Sequence, residues 1–308
     1  MVPELSIVIT TKDRCAQLLH CLESISQASC DVPSEVIIVD DSSSDETRAL
    51  ENEAVEERFG LSDVTVFHSD VSLKMVKARN KGARRARGRL VLFVDDDNVI
   101  DPGMIVELVR CADSDEDLGI VGPSMYMLKN RRKYLDYQTI NLYTMRTKLC
   151  VDESSRELHE SDGIPNVFMV KKEVFEKAGY FDHRLIQSFT EPDFSYNARR
   201  FGFRTAICSR AITYHDIDLA ERGRHMGSIP AKAYCLIRNR FVIVTRYALP
   251  RQRLAFLVLF SWVWPLLYSL IALRDGNRGR IPYYFAGFVD GFYYAFSGKF
   301  REKTKITC

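Results

Sequence analysis

Three carboxylates stand in a row at Asp95-Asp96-Asp97, directly after the apolar run at 90–94 (LVLFV). Crowded like charges raise one another's pKa unless a cation neutralises them. A hard divalent ion with oxygen ligands, Mg²⁺ or Mn²⁺, meets that need, and such ions usually keep waters and take substrate phosphates as further ligands. The plainer account is a solvated acidic turn at a strand end. A second acidic stretch, Asp40-Asp41-Ser42-Ser43-Ser44-Asp45, follows another apolar run at 36–39. A carboxylate here can accept hydrogen bonds from a base or a ribose. Ser44 or Asp45 can also cap a helix that begins near Glu46. Both uses fit together if Asp45 caps and Asp41 faces a ligand. Between the two stretches lies a basic helix start, residues 74–81 (KMVKARNK), where Arg79 and nearby Lys can meet phosphate oxygens or simply form a solvated face.

These residues need elements that bring them together. Residues 5–10 (LSIVIT), 36–39 (VIIV), 64–67 and 90–94 are short β-branched or apolar runs of the kind buried on both faces of a parallel sheet. Helical spacing separates them at 15–25, 45–57 and 75–86. Strands alternating with helices imply βαβ units and a mostly parallel sheet. Ligands bind such sheets outside the carboxyl ends of the strands, so both acidic stretches point into one crevice. Residues 119–123 read as a strand and turn, followed by a polar, aromatic stretch to 165. A second ordered block follows, with a strand at 166–170, a helix at 172–178 and a turn at 179–182. Next come a helix at 194–201 stopped by Gly202, and short strands at 205–208 and 211–214.

Bulk composition narrows the classes. The 43 basic and 41 acidic residues leave a formal charge of +2, which gives no reason to expect nucleic acid as a partner. Neither G-x-G-x-x-G nor G-x-x-x-x-G-K occurs, against dinucleotide and P-loop chemistry. The eight Cys form no C-x-x-C pair, so zinc spacing is absent, and reduced thiols in a cytosolic compartment are expected over a disulfide framework. The N-terminus, MVPELSIVITTKDR, reads as a first core strand and not a signal peptide.

Taken jointly, LSIVITTKDR, VIIVDDSSSDET and ARNKGARRARGRLVLFVDDDN resemble the family 2 glycosyltransferases, which have the GT-A fold. The resemblance spans roughly residues 4–215 and extends to NVFMVKKEVFEKAGYFDHRL and TEPDFSYNARRFGFR. It implies an inverting sugar transfer from a nucleotide diphosphate sugar, with Mg²⁺ or Mn²⁺ bridging the diphosphate. Thr10 and Asp41 match positions that contact the base. Asp95 and Asp97 end the D-x-D motif, with Asp97 on the metal and Asp95 or Asp96 on the ribose. His215 matches a residue that sometimes completes the metal site with Asp95 and Asp97. Glu191 matches the catalytic base and Asp193 the second acid, although TEPD stands where the family more often has E-D-x-D. Two other readings stay open: transfer to a polyprenyl phosphate, and a membrane-bound nucleotide-sugar or glycan-binding protein without turnover.

The sequence divides into a catalytic domain at 1–230 and a C-terminal helical region at 231–308. Within the latter, 254–273 (LAFLVLFSWVWPLLYSLIAL) is uncharged and of about the length that spans a bilayer, kinked by Pro265. Residues 282–296 suit an interfacial segment, and the tail KFREKTK suits an anionic cytoplasmic leaflet. A membrane-associated protein with a cytoplasmic catalytic part is expected. No Q-x-x-R-W precedes either Trp, which disfavours a processive synthase. The stretch AYCLIRNRFVIVTRYALP, with Arg238-Asn239-Arg240, is similar to a tail of rhamnosyltransferase-like members that act on lipid-linked or cell-surface glycans.

Overall fold

A computed structural model describes residues 3–28, 32–216 and 230–301; Cys30, Cys308 and most of the basic tail lie outside them. The chain packs as two units. The first comprises Met1–Thr139, Leu149–Phe181 and Phe194–Ile217, and the second Ile140–Lys148, Asp182–Asp193 and Asp218–Cys308. Two inner segments thus belong with the C-terminal helices, which a single cut at 230 does not anticipate.

The first unit is built on one ten-stranded sheet. Strands β1 (Leu5–Thr11), β2 (Ser34–Asp40), β3 (Val64–His68) and β4 (Leu90–Asp95) are parallel in the order β3-β2-β1-β4. β11 (Val167–Lys171) then runs antiparallel between β4 and β6 (Leu118–Met127). The long β12 (Arg204–His215) lies parallel to β6, and β10 (Leu158–Glu160) closes that edge. Two short strands attach beside this path, β5 (Asn98–Ile100) to β12 and β7 (Lys133–Leu135) to β6. β8 (Tyr137–Asn141) and β9 (Arg146–Cys150) form a separate ribbon.

Alternation along the strands explains why both faces are apolar. Ile7 and Ile9 of β1 pack with Leu18, Leu22 and Ile25 of α1 (Cys15–Ala28) and with Ile105 and Leu108 of α4 (Met104–Asp113). Val8, one position out of step, joins a second cluster with Phe93, Phe168, Phe175, Phe181 and Phe194. There Phe93 stacks on Phe168 at 4.8 Å and Phe181 on Phe194 at 4.2 Å. The remaining helices of this unit are α2 (Asn52–Phe59), α3 (Lys74–Arg85) and α5 (Lys172–Ala178).

Several expected boundaries move. The helix expected at 45–57 splits into a 3₁₀ turn, Glu46–Ala49, and α2, and Asp45 caps the turn through Thr47 N–H. The strands expected at 205–208 and 211–214 are one strand, β12, with a bulge between Cys208 and Ile212. The helix expected from 194 is α6 (Thr190–Arg199), which begins earlier because Pro192 falls in its first turn, where no hydrogen bond is lost. The expectation of reduced thiols fails at one pair, since a disulfide joins Cys111 of α4 to Cys208 of β12. Cys15, Cys21, Cys150 and Cys235 are free and buried.

The second unit is helical. α7 (Pro230–Tyr247) packs along α10 (Ile281–Ser297), where a Cβ at Gly287 would strike the Tyr234 carbonyl. Between them, α8 (Pro250–Ala255), a π-helical segment Phe256–Phe260 and α9 (Val263–Arg274) carry the apolar run. It is not one helix: the two halves are bent by 41°, and among the described residues no single helix is long and apolar enough to cross a membrane. The break falls beside Ser261, four residues before Pro265, whose ring clashes with the carbonyl at that position; the Ser261 N–H reaches back to Phe256 O instead.

Gly88 tests the packing of the central strand. A Cβ there would sit 2.8 Å from the backbone of Leu5 and Ser6. Gly88→Ala is expected to lower stability by about 1–3 kcal/mol in urea unfolding; an unchanged midpoint would show that β1 can yield.

Candidate active site

Three adjacent parallel strands deliver the acidic stretches to one edge. Thr10 pairs in register with Asp95, and Thr11 joins both stretches: its carbonyl accepts the Asp41 N–H at 2.9 Å and its hydroxyl donates to Asp96 at 2.7 Å. Asp41 and the Asp95–Asp97 run therefore lie on the same side of the sheet, at its carboxyl end.

Each of the three aspartates has its own partner. Asp95 accepts from Arg79 at 2.7 Å, a guanidinium only 2% exposed that also lies over the Phe168 ring. Asp96 accepts from Thr11 and, at 3.0 Å, from Arg14; burial lifts its pKa to about 6 against those two bonds. Asp97 lies 3.2 Å from Arg14 and 3.4 Å from His215 Nε2, and its amide neighbour Asn98 donates at 3.0 Å. Burial works against ionisation of Asp97, but the His215 bond and charge, with Arg14, hold its pKa below the ordinary range.

His215 comes from far along the chain. β5 folds back onto the end of β12, pairing Asn98 with His215, and Asp216 N–H donates to Asp97 O at 2.9 Å. Tyr134 Oη lies 3.0 Å from His215 Nδ1 and orients the ring so that Nε2 faces Asp97. That is the outer-shell support a metal-binding imidazole usually has. Two ligands on adjacent vertices of an octahedron with bonds of about 2.1 Å stand about 3 Å apart, so Asp97 and His215 fit a hard divalent ion as neighbours. The expected trio does not form: Asp95 is drawn to Arg79, and among the described residues no three His, Cys, Asp or Glu side chains are grouped to hold a metal. Donor oxygens and water would have to complete the shell.

Two further placements differ from expectation. The carboxylate of Asp41, read as facing a ligand, accepts from Ser72 Oγ at 3.0 Å and from the N–H groups of Leu73 and Lys74, fixing the entry to α3. Arg14 was passed over in the motif LSIVITTKDR, yet it is the cation that Asp96 and Asp97 share. The available signal was its place just past the first strand, at the edge where the neighbouring carboxylates emerge.

Glu191 and Asp193 belong to the second unit, on the first turn of α6. Glu191 is half-buried and accepts from Thr190 Oγ1 at 2.6 Å. Asp193 is 4% exposed and is held by Arg246 at 2.8 Å and by Tyr247 Oη at 2.8 Å. Burial pushes its carboxyl up, while Arg246 and Tyr247 pull the other way. The ion pair with Arg246 makes Asp193 a tie between α6 and α7.

Residues 6–179 match the family model described as glycosyl transferase family 2. An uncharacterized glycosyltransferase of Bacillus subtilis (strain 168), EpsJ, is 26% identical over 216 residues, 69% of this chain and 60% of that protein. A second uncharacterized glycosyltransferase, from Haemophilus influenzae, is 28% identical over 191 residues, again 60% of its length. The chain thus spans about three fifths of these curated relatives. Among solved structures, S. aureus TarS 1-349 in complex with UDP-GlcNAc superposes with a TM-score of 0.60 at 16% identity, covering 95% of this chain and 90% of that one. GalNAc-T7 with UDP, GalNAc and Mn²⁺ gives 0.61 at 17% identity, covering 88% and 58%. These likenesses establish the expected GT-A-like α/β fold.

The two arginines of the cluster should differ in what they hold. Removing a buried partner costs about 3–5 kcal/mol, whereas an exposed pair contributes about 0–1 kcal/mol. Arg79→Met is therefore expected to destabilise by about 3 kcal/mol, and Arg14→Ala, whose side chain is 50% exposed, by less than about 1 kcal/mol. Chemical denaturation of both variants checks this, and equal losses would refute it.

Proposed function

This chain belongs to glycosyl transferase family 2, and from that premise we propose that it moves a sugar, with inversion, from a UDP- or dTDP-type nucleotide diphosphate sugar to a lipid-linked or cell-surface glycan. The observation that carries this is the meeting of Asp96, Asp97, Arg14 and His215 at the carboxyl end of β1 and β4. A divalent ion, Mg²⁺ or Mn²⁺, held by Asp97 and His215 would offset charge on the diphosphate as it departs. Arg14 is placed to turn from the aspartates to phosphate oxygens. Arg79 fixes the Asp95 carboxylate, so that it or Asp96 can accept from ribose hydroxyls. Thr10 and the rim around Asp41 take the base, with Asp41 acting by ordering residues 72–74.

At the acceptor, Glu191 takes the hydroxyl proton as the oxygen attacks the anomeric carbon opposite the nucleotide. The new C–O bond forms as the bond to the diphosphate breaks, so one displacement inverts the centre. We assign the base to Glu191 because Asp193 already serves Arg246 and Tyr247. An ionised lipid phosphate would need no base, and the assignment therefore favours a hydroxyl acceptor.

We also propose that the second unit rests on the cell membrane, with the catalytic unit on the cytoplasmic side. The support is a set of exposed apolar side chains on α8 to α10, among them Val258, Leu259, Trp262, Leu270, Val289 and Phe296. Arg251, Arg274, Arg278 and Arg280 flank them, a distribution suited to an anionic leaflet. The 41° bend suits a surface-lying or re-entrant arrangement better than a straight crossing.

Two measurements test these proposals. UDP-glucose, UDP-N-acetylglucosamine, dTDP-rhamnose and GDP-mannose, each with MnCl₂, would be screened by thermal shift. Asp97→Ala should lose the metal-dependent shift; Glu191→Gln should keep it while transfer falls by about 10²–10⁴-fold. Full transfer by Glu191→Gln, or product from polyprenyl phosphate alone, would overturn the hydroxyl-acceptor mechanism. For the membrane, the chain should float with phosphatidylglycerol vesicles, and Leu270→Glu with Phe296→Glu should release it. Equal flotation of the double variant would reject the surface.

A further inference from the structure

The three consecutive polar residues Arg238, Asn239 and Arg240 lie in the middle of α7 and are 6%, 0% and 4% exposed. Successive helical residues point about 100° apart, so three buried in a row means the helix is enclosed on most sides here. Burying them has a cost that hydrogen bonds must offset; those of Arg238 and Asn239 converge on one segment, while Arg240 Nε has no hydrogen-bond partner among the described residues. Asn239 Nδ2 donates to the carbonyls of Leu185, Gln187 and Ser188 at 3.0, 2.7 and 2.7 Å. Its Oδ1 accepts from Arg238 Nε at 2.9 Å, which fixes the amide with its donors toward the loop. Arg238 Nη2 donates to the carbonyls of Arg184 and Leu185 at 2.7 and 3.2 Å. Arg240 lays its guanidinium against the rings of Phe189, Trp264 and Tyr268, and its Nη2 donates to Tyr268 Oη at 3.0 Å.

The gripped segment is strained. Ile186, Ser188 and Phe189, none of them glycine, have φ of +64°, +59° and +63°. Such a residue persists only where its surroundings over-determine it. The carbonyls held by Arg238 and Asn239 supply that determination. The segment ends where α6 begins: Phe189 O accepts the N–H of Asp193, and Glu191 lies between them. Farther along α7, Arg246 binds Asp182 at 2.7 Å and Asp193 at 2.8 Å, so the helix holds the segment at both ends as well.

We infer that Arg238 and Asn239, with Arg240 against Phe189, are positioning residues that hold Ile186, Ser188 and Phe189 at positive φ and so aim the first turn of α6 and the Glu191 carboxylate. The inference rests on the assignment of Glu191 as base. It gives a physical role to the Arg-Asn-Arg triplet: an Asn whose acceptor is fixed by Arg238 turns its two N–H donors, one of them shared, toward three neighbouring carbonyls. A carboxylate at that place would repel them, and an aliphatic side chain would leave them unsatisfied.

The test uses the full chain as wild type, Asn239→Ala, the milder Arg238→Met, and Phe241→Leu, a core change in the same helix whose ring packs on Phe256, Phe288 and Phe292. Amide hydrogen exchange across 184–193 should rise about tenfold in the first two variants and not in the third. Unchanged exchange in both would overturn the clamp. Turnover of whichever donor the wild type uses should fall about a hundredfold in kcat for Asn239→Ala, with the donor KM unchanged. Raised exchange with full kcat would overturn the positioning role. If the wild type turns over no donor of the panel, the glycosyl-transfer proposal fails, while the exchange result still decides the clamp.

Discussion

Negative charge concentrated at the end of one strand is the constraint around which the first unit is arranged. Asp95, Asp96 and Asp97 are adjacent in the chain and lie at the edge of a packed sheet, where water screens them poorly. The fold gives each a different answer. Asp95 has a buried guanidinium from α3, Asp96 a hydroxyl from β1, and Asp97 an imidazole from the far end of β12, while Arg14 bridges the last two. The same partners separate the chemistry. The carboxylate with the buried arginine is fixed, and Asp97 faces an imidazole and a half-exposed guanidinium. A row of identical side chains thereby acquires distinct roles from its surroundings.

Much of this was visible in the sequence, and the parts that were not share a cause. Runs such as LSIVIT and LVLFV announce buried parallel strands because nothing but burial on both faces accounts for them, and the strand ends follow. The convergence of Asp41 with the aspartates of β4 is then a matter of topology. What composition cannot show is which donors reach a carboxylate across 30 residues or more. Asp41 is held by Ser72 to Lys74, and Arg14 turns toward Asp96 and Asp97. Neither arrangement leaves a periodic trace. α6 begins ahead of residue 194 with a polar first turn, Thr190 to Asp193, which carries no apolar helical spacing. In the long apolar run Pro265 marks the kink, but the π turn before it has no composition of its own.

The second unit shows the converse economy. Its helices carry both an outward apolar set and an inward polar triplet on neighbouring stretches, so one small bundle serves a surface and a loop. The bend in the apolar run and the positive φ of Ile186, Ser188 and Phe189 are both departures from regular backbone, and the second is held by side chains of α7. The likeness to solved glycosyltransferases extends across most of the chain, whereas the family match ends at residue 179, before the segment that α7 holds.

The pairing of β5 with the end of β12 has a temporal side. The four central strands are complete once residue 95 has been made, but the imidazole that faces Asp97 lies 215 residues into the chain, on the last strand added to the sheet. During translation the aspartates therefore emerge first and wait for their closing partner. A nascent chain halted before residue 215 would hold the four parallel strands yet lack the imidazole beside Asp97, so the acidic edge is completed only when the sheet is whole.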